Sequence, residues 1–197
     1  MFRRSASDAP GQDRVPPGQT VTPKLAVMTL GSTPRFAKEE WGLRLFGAVE
    51  EQRILRWEDL QALPRVGITA DFHCVTQWSR LDVGWSGVLA RTVLGLVDPA
   101  PGARWVMLHG ADGYTTNVDL DVLGADDSLF ADTLDGAPLP TNYGGPVRVV
   151  VSSRYGWKSA KWVTGVEFMT ADRPGFWEER GYHMRGEPWA EERFGRL

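Results

Sequence analysis

The sequence predicts an α+β domain in which strands dominate, arranged as β-rich mixed sheets joined by short helices. Three observations carry this expectation. Apolar residues recur at alternate positions, as in Val66, Ile68, Ala70, Phe72 and Cys74, which is the period of a half-buried strand. Segments with helical spacing are short, and proline stops them. Strands and helices do not alternate in the rhythm of a doubly wound parallel sheet. At 197 residues, with 42% hydrophobic and 11% aromatic content, the chain can build one well-filled core.

The elements follow in order. Residues 1–32 are rich in Pro, Gly, Ser and Thr, with Pro10, Pro16, Pro17 and Pro23, and read as an extended or disordered arm. Residues 33–197 read as the domain. Trp41, Leu43 and Leu45 alternate with Gly42, Arg44 and Phe46 and predict a strand. Residues 57–63 predict a short helix stopped by Pro64. Residues 66–74 predict a strand with the Cys74 thiol facing inward, near its end. Val88, Leu89, Thr92, Val93 and Leu96 have helical spacing that ends at Asp98-Pro99.

Beyond this, residues 104–109 predict a buried strand, 110–113 a turn and 119–123 a helical turn. Residues 143–146 predict a tight turn before strands at 147–151 and 163–169. The polar tail from Asp172 carries Phe176, Trp177, Tyr182 and Trp189, which are expected to pin it across the body.

A net charge of −3 argues against electrostatic binding to nucleic acid. No apolar run is long enough for a membrane span. The pair Arg3-Arg4 is followed by Asp8, Pro10, Gln12 and Asp13 rather than by the apolar stretch of an export signal. A cytoplasmic protein is expected, and a lone thiol fits a reducing compartment. There is no Gly-x-Gly-x-x-Gly, Walker loop or His-Glu-x-x-His motif.

The sequence has one cysteine, Cys74. It cannot form an internal disulfide, a Cys₄ zinc site or a protein-held iron–sulfur cluster. Three roles stay open: a core cysteine, a nucleophile, or a single soft ligand to a metal that brings its other ligands. His73 lies on the opposite strand face, so a Cys-dependent hydrolase would need His109 or His183 as its base. A second cluster runs from Ser153 to Trp162. Its two lysines, two serines and arginine suit either a solvated basic loop or an anion. Arg148 lies inside an apolar strand, where an unpaired guanidinium is costly. It must reach a surface or meet a buried anion such as phosphate.

Three blocks then stand in order: Phe72-His73-Cys74-Val75-Thr76 with Trp78-Ser79, Gly144-Gly145-Pro146-Val147-Arg148, and Tyr155 to Trp162. Together with Pro174 to His183 they resemble the molybdopterin-binding domain of sulfite-oxidase-type oxidoreductases, most of all the small single-domain bacterial proteins. The likeness covers roughly residues 36–194. It implies the sulfite-oxidase-type fold and a Mo-molybdopterin cofactor. Cys74 would supply a thiolate to molybdenum and serve as the catalytic residue. His73, Gly110, Tyr143, Arg148, Ser159, Ala160 and Lys161 match cofactor-contacting positions. Tyr143 stands where relatives have Asn or His, and Gly110 where methionine-sulfoxide reductases have Thr.

The resemblance further implies oxygen-atom or two-electron transfer on a small sulfur- or nitrogen-containing substrate. With one cysteine and no haem-attachment motif, a separate haem or flavin redox partner is expected. A molybdopterin carrier without turnover and a module that has lost its metal are the non-enzyme alternatives.

Overall fold

Alternation in the sequence becomes two sheets that share their apolar faces. The computed structural model describes residues 12–195, so residues 1–11 of the expected arm and the last two residues lie outside the described residues. A 3₁₀ turn at Gln12–Arg14 leads to β1 (Thr20–Val21). Then come β2 (Gly42–Gly47), β3 (Arg53–Arg56), α1 (Trp57–Gln61), β4 (Arg65–Cys74), β5 (Trp78–Leu89) and α2 (Ala90–Leu94). They are followed by β6 (Trp105–Gly110), β7 (Thr115–Asp119), α3 (Leu120–Leu123), β8 (Ser128–Leu134), β9 (Ala137–Pro138), β10 (Arg148–Val151) and β11 (Val163–Met169).

Among the described residues, one six-stranded sheet runs β1-β5-β8-β10, with β4 paired to β5 and β9 to β8. The other, five-stranded, runs β3-β2-β11-β6-β7. Most ladders are antiparallel, but β1 runs parallel to β5 and β11 parallel to β2, so both sheets are mixed. No helix of the described residues is long and apolar enough to cross a membrane.

β10 shows how the sheets divide the core. Val149 and Val151 enter a large cluster with Leu43, Leu45, Leu108 and Phe168. Val150, one residue out of phase, enters a smaller cluster with Val83, Trp85, Leu129 and Ala131. Val66, Ile68, Ala70 and Phe72, the alternating face of β4, cover that smaller cluster. Arg148 shares the parity of Val150 and is therefore directed to the same side.

Two expectations are corrected. Val88 and Leu89 belong to β5, and the helix is only Ala90–Leu94. The reason is tertiary: Val88 pairs with Arg65 on one side and with Phe130 on the other, and these ladders override helical spacing. Trp189 does not pin the tail, being 52% exposed. Phe176, Trp177 and Tyr182 do the stacking instead, with Trp177 and Tyr182 ring centroids 5.0 Å apart.

The tail is also fastened by charge. Lys158 Nζ donates to Glu178 Oε1 at 2.6 Å, with side-chain exposures of 1% and 0%. The ammonium's other donors reach Asn117 O at 2.9 Å and Asn117 Oδ1 at 2.8 Å. Trp157 Nε1 and Thr116 Oγ1 donate to the same carboxylate oxygen. Glu178 Oε2 is buried without a hydrogen-bond partner, so the pair rests on Oε1, and removing one member strands the other. Glu178→Ala is expected to destabilise the protein by about 3–5 kcal/mol in urea titration. A double replacement of Lys158 and Glu178 by Met and Leu is expected to recover most of that loss; a single-site cost below about 1 kcal/mol would show that the pair does not hold the tail.

Candidate active site

One cleft gathers most of the candidate residues. It opens to solvent at its mouth and is lined on all other sides by protein side chains. Cys74, Tyr143, Arg148, Ser159 and Lys161 line it. The arm contributes Leu25, Ala26, Met28, Thr29 and Leu30, and the tail contributes Trp177 and Tyr182. Trp78, Tyr114 and Trp157 complete a largely aromatic wall.

Cys74 ends β4 and opens the turn into β5, where Gln77 N donates to Cys74 O at 3.1 Å. The thiol is partly exposed, and its Sγ lies 3.1 Å from Thr76 Oγ1. A hydroxyl so placed can donate to a thiolate. His73, on the other strand face, is the more buried of the pair at 5% exposed. Its Nδ1 lies 2.8 Å from Ser79 Oγ. Burial holds the imidazole below its ordinary range and favours the neutral ring, while Asp71 opposes the shift.

Arg148 is 2% exposed, and among the described residues it has no carboxylate partner. Its Nη1 donates to Tyr143 O and its Nη2 to Ser159 O, each at 3.0 Å, and Nε reaches Val149 O at 3.3 Å. The guanidinium carbon stands 5.1 Å from the Trp85 ring centroid and 5.6 Å from that of Phe72. Desolvation pushes its pKa down to about 10. Lys161 Nζ donates to Met28 O at 2.8 Å and Asn142 O at 3.0 Å. Its pKa falls to about 8, through desolvation first and the charge of Arg148 second, with Asp112 opposing.

Gly144 permits the close approach of these two residues. It has φ +110°, and a Cβ there would lie 3.0 Å from Lys161 Cβ and 3.1 Å from Arg148 Cβ. Ser159 Oγ accepts from Val151 N at 3.0 Å, tying the loop to β10. Tyr143 Oη donates to Leu25 O at 2.9 Å.

His73, Gly110 and Ala160 do not line the cleft. Ala160 is 1% exposed and belongs to the large core cluster, and its carbonyl accepts from Val149 N. Gly110 lies behind the cationic loop, where a Cβ would sit 2.8 Å from Lys161 O. The cleft includes residues that the sequence did not single out: Thr76, Trp78 and the arm from Leu25 to Leu30. Thr76 and Trp78 stand within the sequence block around Cys74, but nothing in their residue types marks them as lining a cleft. The arm had the composition of a surface segment.

The family model described as "Oxidoreductase molybdopterin binding domain" matches residues 30–177. The chain is 43% identical over 182 residues to the uncharacterized oxidoreductase YuiH of Bacillus subtilis, covering 92% of each chain. It is 32% identical over 145 residues to the putative protein-methionine-sulfoxide reductase subunit YedZ1 of Azospira oryzae, covering 73% of this chain and 55% of the relative. The sulfane dehydrogenase SoxCD of Paracoccus pantotrophus superposes with a TM-score of 0.64 at 22% identity, over 71% of this chain and 40% of that one. The last likeness shows the fold, of the sulfite-oxidase type.

The depressed amine has a pH signature. With a folded pKa near 8 against 10.5 for an ordinary lysine, Lys161 binds fewer protons folded than unfolded between those values. The penalty for its charge is present below pH 8 and is relieved as pH rises, so this group makes the ligand-free protein more stable with increasing pH. Burial pushes the Tyr114 phenol well above 10, which acts in the opposite sense at higher pH. Urea titrations between about pH 8 and 10 are expected to show a rising stability contribution that is absent in Lys161→Met. Equal slopes in the two proteins would show that Lys161 is solvated.

Proposed function

The chain belongs to the oxidoreductase molybdopterin-binding domain family, within the sulfite-oxidase group, and from that premise we propose that it transfers an oxygen atom or an electron pair to or from a small sulfur- or nitrogen-containing substrate. The cofactor of the family is Mo-molybdopterin. One observation supports this use of the cleft above all others: a buried guanidinium with only carbonyl partners faces the same space as the sole cysteine.

The residues present fit such a group. Arg148 and Lys161 offer donors and two positive charges to a pterin phosphate, and the aromatic wall suits a flat heterocycle. Cys74 offers one soft ligand, and among the described residues no cluster of three or more His, Cys, Asp or Glu could hold a metal ion unaided. When bound, the cofactor supplies the oxygen-atom and two-electron chemistry. The protein's share is to fix Cys74 through its turn, to hold the anionic end through Arg148 and Lys161, and to limit water through Trp78, Trp177 and Tyr182.

For the substrate we favour an organic sulfur compound. An aromatic lining suits apolar substituents on sulfur, and the Azospira relative bears the name of a putative protein-methionine-sulfoxide reductase subunit. One cysteine leaves this chain no iron–sulfur relay, so our reading includes a separate haem or flavin partner. A reducing, cytoplasmic setting suits the free thiol.

Expression in a host that makes the cofactor, followed by elemental analysis and Mo(V) electron paramagnetic resonance, tests the assignment. The purified protein is expected to hold molybdenum and to turn over a sulfoxide or related donor with a chemical reductant. Metal without turnover would favour a carrier; a protein without metal or pterin would end the proposal. Cys74→Ser is expected to lose turnover while keeping pterin. Arg148→Ala is expected to lower cofactor affinity about ten- to a hundredfold, the scale of a lost charged hydrogen bond, read as molybdenum content under limiting supply.

A further inference from the structure

The turn that carries Cys74 is held from outside by both ends of the chain. Gln19 Nε2, on the arm, donates to Cys74 O at 3.0 Å. Arg193 Nη1, on the tail, donates to Val75 O at 2.9 Å. Thr20 N donates to Gln77 O at 3.0 Å, beginning the β1–β5 ladder. The two ends are joined to each other, because Arg193 Nη2 donates to Pro17 O at 2.9 Å. Arg193 also lies over the Tyr155 ring, its guanidinium carbon 5.1 Å from the centroid.

The turn needs such bracing. Gln77 has φ +69°, unfavourable for a residue with a side chain, and Cys74 stands at the last position of its strand. Three of the turn's four carbonyls, those of Cys74, Val75 and Gln77, are capped by donors more than 50 residues away in sequence. None of the donors touches the sulfur, so they act on the thiol only through the backbone.

Resting on the reading of Cys74 as the ligand of the bound cofactor, we propose that Gln19 and Arg193 are positioning residues, forming a clamp by which the chain ends fix the Cys74 backbone and so aim its thiolate. A ligand displaced by a fraction of an ångström still binds but presents a different geometry to the reacting atoms.

The experiment compares Gln19→Glu, Arg193→Ala and Arg193→Lys with the unaltered full-length protein. Gln19→Glu keeps the size of the side chain but turns the donor into an acceptor against the Cys74 carbonyl. Loaded Gln19→Glu and Arg193→Ala proteins are expected to keep molybdenum within about twofold, because the phosphate contacts survive. Their Mo(V) spectra are expected to shift or split into several species. Their kcat is expected to fall about ten- to a hundredfold with KM little changed. Arg193→Lys, which keeps one donor, is expected to restore much of the spectrum. In cofactor-free protein, iodoacetamide is expected to alkylate Cys74 at least about twofold faster in both disrupted variants, as the turn opens more often. Unaltered spectra and unaltered alkylation in both would overturn the clamp. If the unaltered protein carries no molybdenum, the functional reading fails, and the alkylation rates alone still decide whether the clamp exists.

Discussion

A guanidinium shut away from water without a counter-charge is the constraint around which this molecule is arranged. Parity in β10 places Arg148 on the face of the smaller core cluster, because Val149 and Val151 fill the larger one. Three carbonyls and two aromatic rings receive it, but they bring no net negative charge. Each ion taken from water in this way costs several kcal/mol after relaxation. Lys161 adds a second cation to the same cleft and loses part of its proton affinity, through desolvation first and the charge of Arg148 second. The site is positive before a ligand enters, and an anion that reaches both groups gains attraction in a low dielectric that water would have screened.

A comparison within one loop separates structural cations from ligand-binding ones. Lys158 and Lys161 are three residues apart; the first is buried and the second half-buried. Lys158 meets Glu178 and fills all three donors with protein acceptors. Lys161 meets only the carbonyls of Met28 and Asn142. The first lysine is complete without any ligand and fastens the tail. The second has carbonyl acceptors but no carboxylate hydrogen-bonded to it, and the charge of Asp112 offsets only part of its desolvation. The buried ion pair therefore serves the site indirectly: it anchors the loop from which Ser159 and Lys161 reach the cleft.

What the sequence revealed follows from which signals are local. Strands at 65–74 and 163–169 were legible from their recurring apolar residues, although each carries one register shift in its ladder. β8 was not, because Ser128 to Leu134 is buried on both faces and the alternation disappears. β5 was hidden by Ser79, Arg80, Asp82 and Ser86, whose polar side chains sit within a strand paired on both sides. In the site, Cys74, Arg148 and Lys161 stood out by residue type: one thiol, and cations beside apolar strands. Leu25 to Leu30, Thr76 and Trp78 gave no such signal. Their part in the cleft depends on chain segments meeting across more than 40 residues, which composition does not encode.

The arm is where this gap matters most, because it is a component of the cleft. A stretch of about ten residues reaches both of its ends. Gln19 holds the Cys74 backbone, Leu25 O accepts from Tyr143, and Met28 O accepts from Lys161. Tyr143 O in turn accepts from Arg148. The thiol end and the cationic end are thus joined through a segment that has little core of its own beyond Leu25. An anion that draws Lys161 away from Met28 O loosens one of the arm's attachments while leaving the grip on Cys74 in place. The same short segment thus contacts both ends of the cleft, through hydrogen bonds that are separate along its length.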